Sequence, residues 1–526
     1  MQWTKVGASL AAVVAAAGLT ACGGDGSGDA ADVDFISTNS TEPQKPLIPA
    51  DTSDVPGATL IDLIYSGLVY FDENGEVHND QAESIEKTDG VTYKVTLKED
   101  AVFSDGSPVR AQDYVGTWNN AVENSMLSAY FFEPIKGYKE GAASMEGLKV
   151  VDEKTFTIEL DEPTADFETR LGYSVFFPMH ESAFDDIDAY GQNPVGSGPY
   201  KLQEWNHNQN AILVPNEKYD GDRKAQNDGL NFVFYADASA AYADLLSGNL
   251  DVLDSVPSSA MANFETDLGE RAVNEPAAIF QSITIPAGDE NFSGEAGALR
   301  RQALSMAIDR DEITQTIFQG ANTPAVDFTS PVLNDGATDI PGNDVLTYNP
   351  DKARELWAKA EEMKPFKGPF TVAYNSDGSH KEWVDAVVNF IRNTLDIDAQ
   401  PAPYPDFKSL RDEVTNKTIE GAFRTGWQSV YPSPSSFLEP LYATGAATND
   451  ADYSNPEFDS LLNKAAAASN DQESIERVND AQAVLMQDLP AIPLWYTNST
   501  GGYSERVDNV IFTWKSKPLY YKVTLK

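Results

Sequence analysis

Pro194-Val195-Gly196-Ser197-Gly198-Pro199-Tyr200 sets two glycines and two prolines within seven residues. Glycine accepts backbone angles closed to other residues, while proline fixes φ and withholds a donor. The stretch therefore specifies a tight, rigid turn. Phe103-Ser104-Asp105-Gly106-Ser107-Pro108-Val109 has the same character, with Gly106 and Pro108 at the bend. Around these reversals the pattern is mixed. Val91 to Leu97 and Thr155 to Leu160 alternate apolar and polar residues as half-buried strands do. Ala111 to Glu123 gathers Tyr114, Val115, Trp118 and Val122 on one helical face. Leu299 to Phe318 is expected as a single helix carrying Leu304, Ile308 and Ile317, and Asn349-Pro350-Asp351 opens another that runs through Lys359. Val33 to Ile36 and Tyr520 to Leu525 read as strands at the two ends of the folded body, meeting in one domain. Helices and strands interleave without strict alternation or a short repeat, which favours several α/β lobes over a barrel or solenoid.

The chain has 526 residues, too many for one ordinary core. Its single cysteine closes Leu19-Thr20-Ala21-Cys22, after the basic Lys5 and the apolar run from Val6 to Leu19. That run is shorter than the roughly 20 residues of a membrane span. It has the basic, apolar and small-residue order of a secretory signal peptide, expected over residues 1–21. The motif resembles a bacterial lipobox, which implies lipidation of Cys22 and a membrane tether; residues 22–31, rich in Gly, Asp and Ala, form a flexible leash. No other cysteine remains to form a disulfide. Acidic side chains number 82 against 37 basic ones, for a net charge of −45, a field that repels phosphate backbones and argues against nucleic-acid binding. His78, His180, His207 and His380 lack metal-ligand spacing. Neither a nucleophile elbow nor a phosphate-binding loop is present, and Asp72-Glu73-Asn74-Gly75 reads as a turn. No catalytic residues, no cofactor and no metal are expected.

Ile64-Tyr65-Ser66-Gly67-Leu68-Val69, the Phe103 to Val109 turn with Ala111-Gln112-Asp113, the Pro194 to Tyr200 turn, Leu246-Ser247-Gly248-Asn249-Leu250-Asp251 and Arg301-Gln302-Ala303-Leu304-Ser305-Met306-Ala307-Ile308-Asp309-Arg310 follow one another along the chain. In this order they resemble the motifs of the solute-binding lipoproteins of peptide and nickel ABC importers, the oligopeptide- and dipeptide-binding type. The resemblance covers nearly all of the chain after the signal peptide. It implies an α/β, type II periplasmic-binding-protein-like fold of two hinged lobes with an extra inserted domain, three domains in all. Domain I is expected over residues 32–60, 182–284 and 497–526, domain II over 61–181 and domain III over 285–496.

The same resemblance implies that a short peptide lies extended between the lobes and pairs its backbone with two protein segments, as an added strand does. These segments are Ser53-Asp54-Val55 and Gly426-Trp427-Gln428. Arg424 and His380 match residues that meet the peptide carboxylate, a task suited to a planar guanidinium fork. Tyr431, Trp495 and Tyr496 fall at or near ligand-side aromatic positions. One departure stands out: Val430 occupies the place of an aspartate that pairs with the peptide's α-amino group. Because an unpaired buried ammonium costs several kcal/mol, either another acid substitutes, Asp54 being the nearest match, or the ligand has no free amino terminus.

The expected role is a monomeric, extracytoplasmic, lipid-anchored protein of a Gram-positive surface that delivers short peptides to the transmembrane subunits of an ABC permease. The alternatives keep the fold and change the cargo, to an oligosaccharide, a modified peptide or a metal chelate, or reuse the fold as a surface receptor or adhesin.

Overall fold

The computed structural model describes residues 34–526 apart from 53, 165, 334–338, 377–379, 406, 447 and 469–470. The expected signal peptide, Cys22 and the leash lie outside the described residues. An eleven-stranded sheet organises the chain. Its strands are β1 (Ile36–Ser40), β2 (Tyr200–Asn206), β3 (Asn210–Pro215), β4 (Leu230–Phe234), β5 (Val252–Leu253), β6 (Ala272–Thr284), β7 (Asn322–Pro324), β8 (Phe370–Asn375), β9 (Ala399–Tyr404), β10 (Ala422–Gln428) and β11 (Ala491–Tyr503). They run in the order β9-β8-β10-β6-β11-β5-β1-β4-β3-β2, and β7 pairs with β11. A second, four-stranded antiparallel sheet contains the two strands foreseen from alternation, at Thr92–Leu97 and Thr155–Glu159.

Apolar side chains gather in three large cores. Ile36, Tyr200, Leu213 and Phe232 form the first, together with Tyr520 and Val523 from the far end of the chain. The second collects residues from Leu68 to Phe176, among them Tyr114, Trp118 and Phe156, with Ala50 alongside. The third spans Ala278 to Tyr496 and includes Trp514. The thirteen-residue strands β6 and β11 run between territories. Ala272 to Pro276 pair with Gly502 to Asn498, Phe280 to Thr284 pair with Tyr496 to Ala491, and the register slips between Pro276 and Phe280. Such irregularities bend a strand locally.

Helix α1 (Val55–Ile64) buries Leu60, Ile61 and Ile64 in the first core, so the break expected between residues 60 and 61 falls inside a helix that belongs to that core. Helix α2 (Ala111–Glu123) has the bounds foreseen from its apolar face, and the four-residue helix α3 (Phe167–Arg170) packs Phe167 into the same core. The single helix expected over Leu299 to Phe318 is two, α4 (Gly294–Met306) and α5 (Arg310–Thr316), because the Asp309 carboxylate accepts the Glu312 amide at 2.9 Å and caps a new start. Helix α6 (Pro350–Met363) starts at the foreseen Asn349 cap. At the carboxyl end only Thr524–Leu525 is strand, while Tyr520 turns inward and its hydroxyl meets Thr38 Oγ1 at 3.1 Å. The two ends thus meet in one core without pairing as strands.

Candidate ligand-binding site

Strand β10 is flanked unequally. Along β6 it pairs antiparallel over Phe423 to Gln428. Along its other edge, β8 pairs only at Ala422 and Phe423, then stays with β9 as far as Asn375 and Tyr404. Among the described residues no strand covers the outer edge of β10 beyond Phe423. The Ser429 amide donates to Ala278 O at 3.0 Å. Alternation along an antiparallel ladder then turns Trp427 and Thr425 toward β6 and directs the N–H and C=O of Gly426 and Gln428 outward. Both residues are exposed. A Cβ at Gly426 would sit 2.7 Å from Gln281 Nε2, so the glycine lets the Gln281 side chain lie against the strand; Gln281 Oε1 there is buried with no hydrogen-bond partner.

Arg424 stands where β8 departs. Its Nε donates to Asn375 Oδ1 at 2.9 Å, and the guanidinium carbon lies 5.1 Å from the centre of the Phe407 ring. Phe407 opens helix α7 (Phe407–Thr415). Trp427 is half-buried and donates from Nε1 to Ser436 O at 2.8 Å, which fixes its indole against helix α8 (Ser435–Tyr442). A cavity of about 220 Å³ borders this edge, lined by Phe407, Leu410, Arg424, Gly426, Trp427 and Leu441. An open main-chain edge, a guanidinium and a mixed apolar wall are what an extended, carboxylate-bearing chain requires.

The other expected residues divide. Val430 is half-buried and Tyr431 buried, its ring 5.4 Å from the Arg170 guanidinium carbon, and burial pushes the Tyr431 hydroxyl above its ordinary pKa. Ser53 lies outside the described residues. Asp54 keeps an extended backbone, but its carboxylate accepts the Gly57 amide at 2.9 Å and caps α1, so Val55 is the first helical residue. Asp54 is half-buried there and Val55 is 48% exposed. His380 accepts at Nδ1 from Trp383 Nε1 at 3.2 Å, just before the helix Lys381–Leu395. Trp495 and Tyr496 are buried in the third core, at 1% and 0% exposure. Trp495 packs edge-on against Trp383, with ring centres 5.2 Å apart. The Tyr496 hydroxyl accepts the Asp327 amide at 3.0 Å and donates to Asp327 Oδ1 at 2.8 Å. Burial raises the pKa of both Tyr496 and Asp327. Asp72, Glu76 and His78 form a group of possible metal ligands whose ligand atoms lie within 4.8 Å of one another. However, Asp72 Oδ1 already accepts the Asn74 and Glu76 amides at 2.9 Å each, the signature of a turn.

Residues 76–449 match the sequence model of the bacterial extracellular solute-binding proteins, family 5. The chain belongs to this family. It is 25% identical over 94% of its length to the oligopeptide-binding protein OppA of Bacillus subtilis, covering 94% of that protein. It is 27% identical to the periplasmic murein peptide-binding protein MppA of Escherichia coli, over 86% of each chain. The solved unliganded open form of the murein tripeptide-binding protein MppA superposes with a TM-score of 0.79 at 23% identity, covering 94% of this chain and 98% of that one. The fold is therefore the type II periplasmic-binding-protein arrangement. Members of the family bind solutes outside the cytoplasm, and no helix among the described residues is long and apolar enough to cross a membrane.

Sequence reasoning did not find Asp166, Arg170 and Glu439, which meet beside Tyr431. Arg170 and Glu439 are 269 positions apart, and neither sits in a motif that sequence alone would single out.

Proposed function

We propose that this protein is the non-enzymatic binding component of an ABC importer and captures short peptides as a strand added to the outer edge of β10. The observation that carries the reading is the departure of β8 after Phe423, which leaves the outward amide and carbonyl groups of Gly426 and Gln428 to a ligand. Main-chain pairing holds any sequence, so side-chain selectivity is broad. Arg424 receives the peptide carboxylate, His380 lies toward the same end, and Trp427, Gln428, Val430 and Tyr431 continue the wall. Asp54 and Val55, at the start of α1, face the ligand from the first lobe. The relatives named for oligopeptide and murein-peptide binding support a peptide cargo. In this reading the protein works as a monomer, uses no cofactor, is anchored through a lipid on Cys22, and hands cargo to the permease. The reading takes three domains, with the first boundary placed beyond α1 and the third domain extended to the Ala278 to Ile283 part of β6 that shares its core. Val430 favours a second reading in which the cargo has a blocked or absent amino terminus.

Native mass spectrometry of a soluble chain beginning at residue 32, followed by release and fragmentation of what has co-purified, tests the proposal. A ladder of peptide masses is expected, and their termini discriminate the two readings. A single non-peptide adduct would overturn peptide capture.

A further inference from the structure

Two bodies with separate cores touch at a charged contact remote in sequence from both. Arg170 ends the four-residue helix Phe167–Arg170, and its neighbours Phe167 and Leu171 are buried in the second core. Glu439 lies on α8, whose Phe437, Leu438 and Leu441 belong to the third core. Arg170 Nη2 donates to Glu439 Oε2, and Ser433 Oγ donates to Asp166 Oδ2. The Arg170 guanidinium also lies over the Tyr431 ring at 5.4 Å. A second strut comes from the turn after Phe71: a Cβ on Gly75 would sit 2.6 Å from Pro432 Cβ. Residues 431–439 are therefore held from the second core at Arg170, and touched as well by the turn at Gly75, whose neighbour Phe71 packs on the third core.

The Arg170 side chain is 9% exposed, and its Nε is buried without a hydrogen-bond partner. Burial works against its charge, but Tyr431, Glu439 and Asp166 outweigh that penalty and hold the guanidinium protonated. Asp166 adopts a left-handed backbone, φ 54°, a conformation sparsely populated by residues other than glycine. A buried cation with one carboxylate partner is stable only while that partner is present; once the surfaces part, water must replace it. Two residues, Ser429 and Val430, separate this contact from the end of β10. We infer that Arg170, with Glu439, is an affinity-setting latch: it touches no ligand, and it fixes how much of the protein stands with the second and third cores closed against each other. Apparent affinity for any cargo scales with the closed fraction. Arg170 is thus a positioning residue, acting through residues 431–439 on the edge that ends at Gln428.

The test needs no ligand, so it stands or falls separately from the peptide reading. A chain beginning at residue 32 contains no cysteine. Spin labels on Asp161→Cys and Lys464→Cys, both exposed positions, report the distance across the contact by pulsed electron resonance. Glu439→Gln keeps shape and removes charge at a side chain 39% exposed, so the fold is retained. The expected result is a longer-distance population at least several-fold larger than in the parent, in protein whose far-ultraviolet circular dichroism matches the parent's. Arg170→Lys, which keeps the charge, should recover part of the short-distance population lost in Arg170→Gln. Identical distance distributions in the parent and Glu439→Gln would overturn the latch.

Discussion

Arg424 carries the most specific chemistry of the candidate site. Its Nε donates to Asn375 and its guanidinium lies over the Phe407 ring, which orients the planar fork at the open edge of β10. Arg424→Gln should weaken binding of peptides with a free carboxyl end by about 1.5–3 kcal/mol, the usual worth of a hydrogen bond to a charged group. Carboxyl-amidated peptides should lose far less, and calorimetric titration of both series checks the difference. Tyr496 behaves oppositely. Tyr496→Phe leaves the Val326 and Asp327 amides without their hydroxyl acceptor and removes one donor to Asp327 Oδ1, so it should lower stability by roughly 1–3 kcal/mol in a denaturant titration and leave peptide affinity unchanged. Family resemblance pointed to Arg424 and Trp427, whose residue types suit the task. It pointed equally to Trp495 and Tyr496, which the fold buries against Trp383 and Asp327; aromatic residues serve cores and sites alike, and the sequence alone does not separate the two uses.

At the scale of elements, the decisive feature is one strand leaving another. Strand β8 parts from β10 after Phe423, and alternation leaves only every second residue of β10 facing out. Backbone N-methylation of a bound tetrapeptide should therefore cost about 1 kcal/mol at amides that point toward Gly426 and Gln428, and almost nothing at the intervening ones. A methylation scan read by competition would show that two-residue period. The sequence does not display such an edge, since pairing partners are set by contacts far along the chain. Local signals did better: the apolar face of α2 and the Asn349 cap of α6 fixed real elements. The pair α4 and α5 shows the limit. Helical periodicity continues from Leu304 through Ile308 to Ile317, and the break depends on the cap made by the Asp309 side chain. Asp309→Ala should cost about 1 kcal/mol of stability, measured by thermal unfolding.

Across the whole molecule, the ends of the chain are stitched into one core by charge as well as by apolar contact. Asp251, 1% exposed, accepts from Ser37 N at 2.9 Å and from Arg506 Nη2 at 2.6 Å. Burial alone would raise its pKa, but the Arg506 and Ser37 hydrogen bonds prevail and lower it. A carboxylate held low contributes stability above the unfolded carboxylate range and loses it as pH falls through the folded value. Asp251→Asn should therefore destabilise the protein at neutral pH by roughly 1.5–3 kcal/mol and flatten the fall of melting temperature below about pH 4. Motif order along the chain conveyed the fold and its division into lobes. It could not convey the contact of Arg170 with Glu439, which exists only when two cores touch. The most direct test of capture along β10 is hydrogen exchange of residues 422–430, compared between protein carrying its co-purified cargo and protein stripped by unfolding and refolding. Slowed exchange at Gly426 and Gln428 in the loaded protein is the expected result; protection confined to other segments, with these two amides unchanged, would contradict strand addition at this edge.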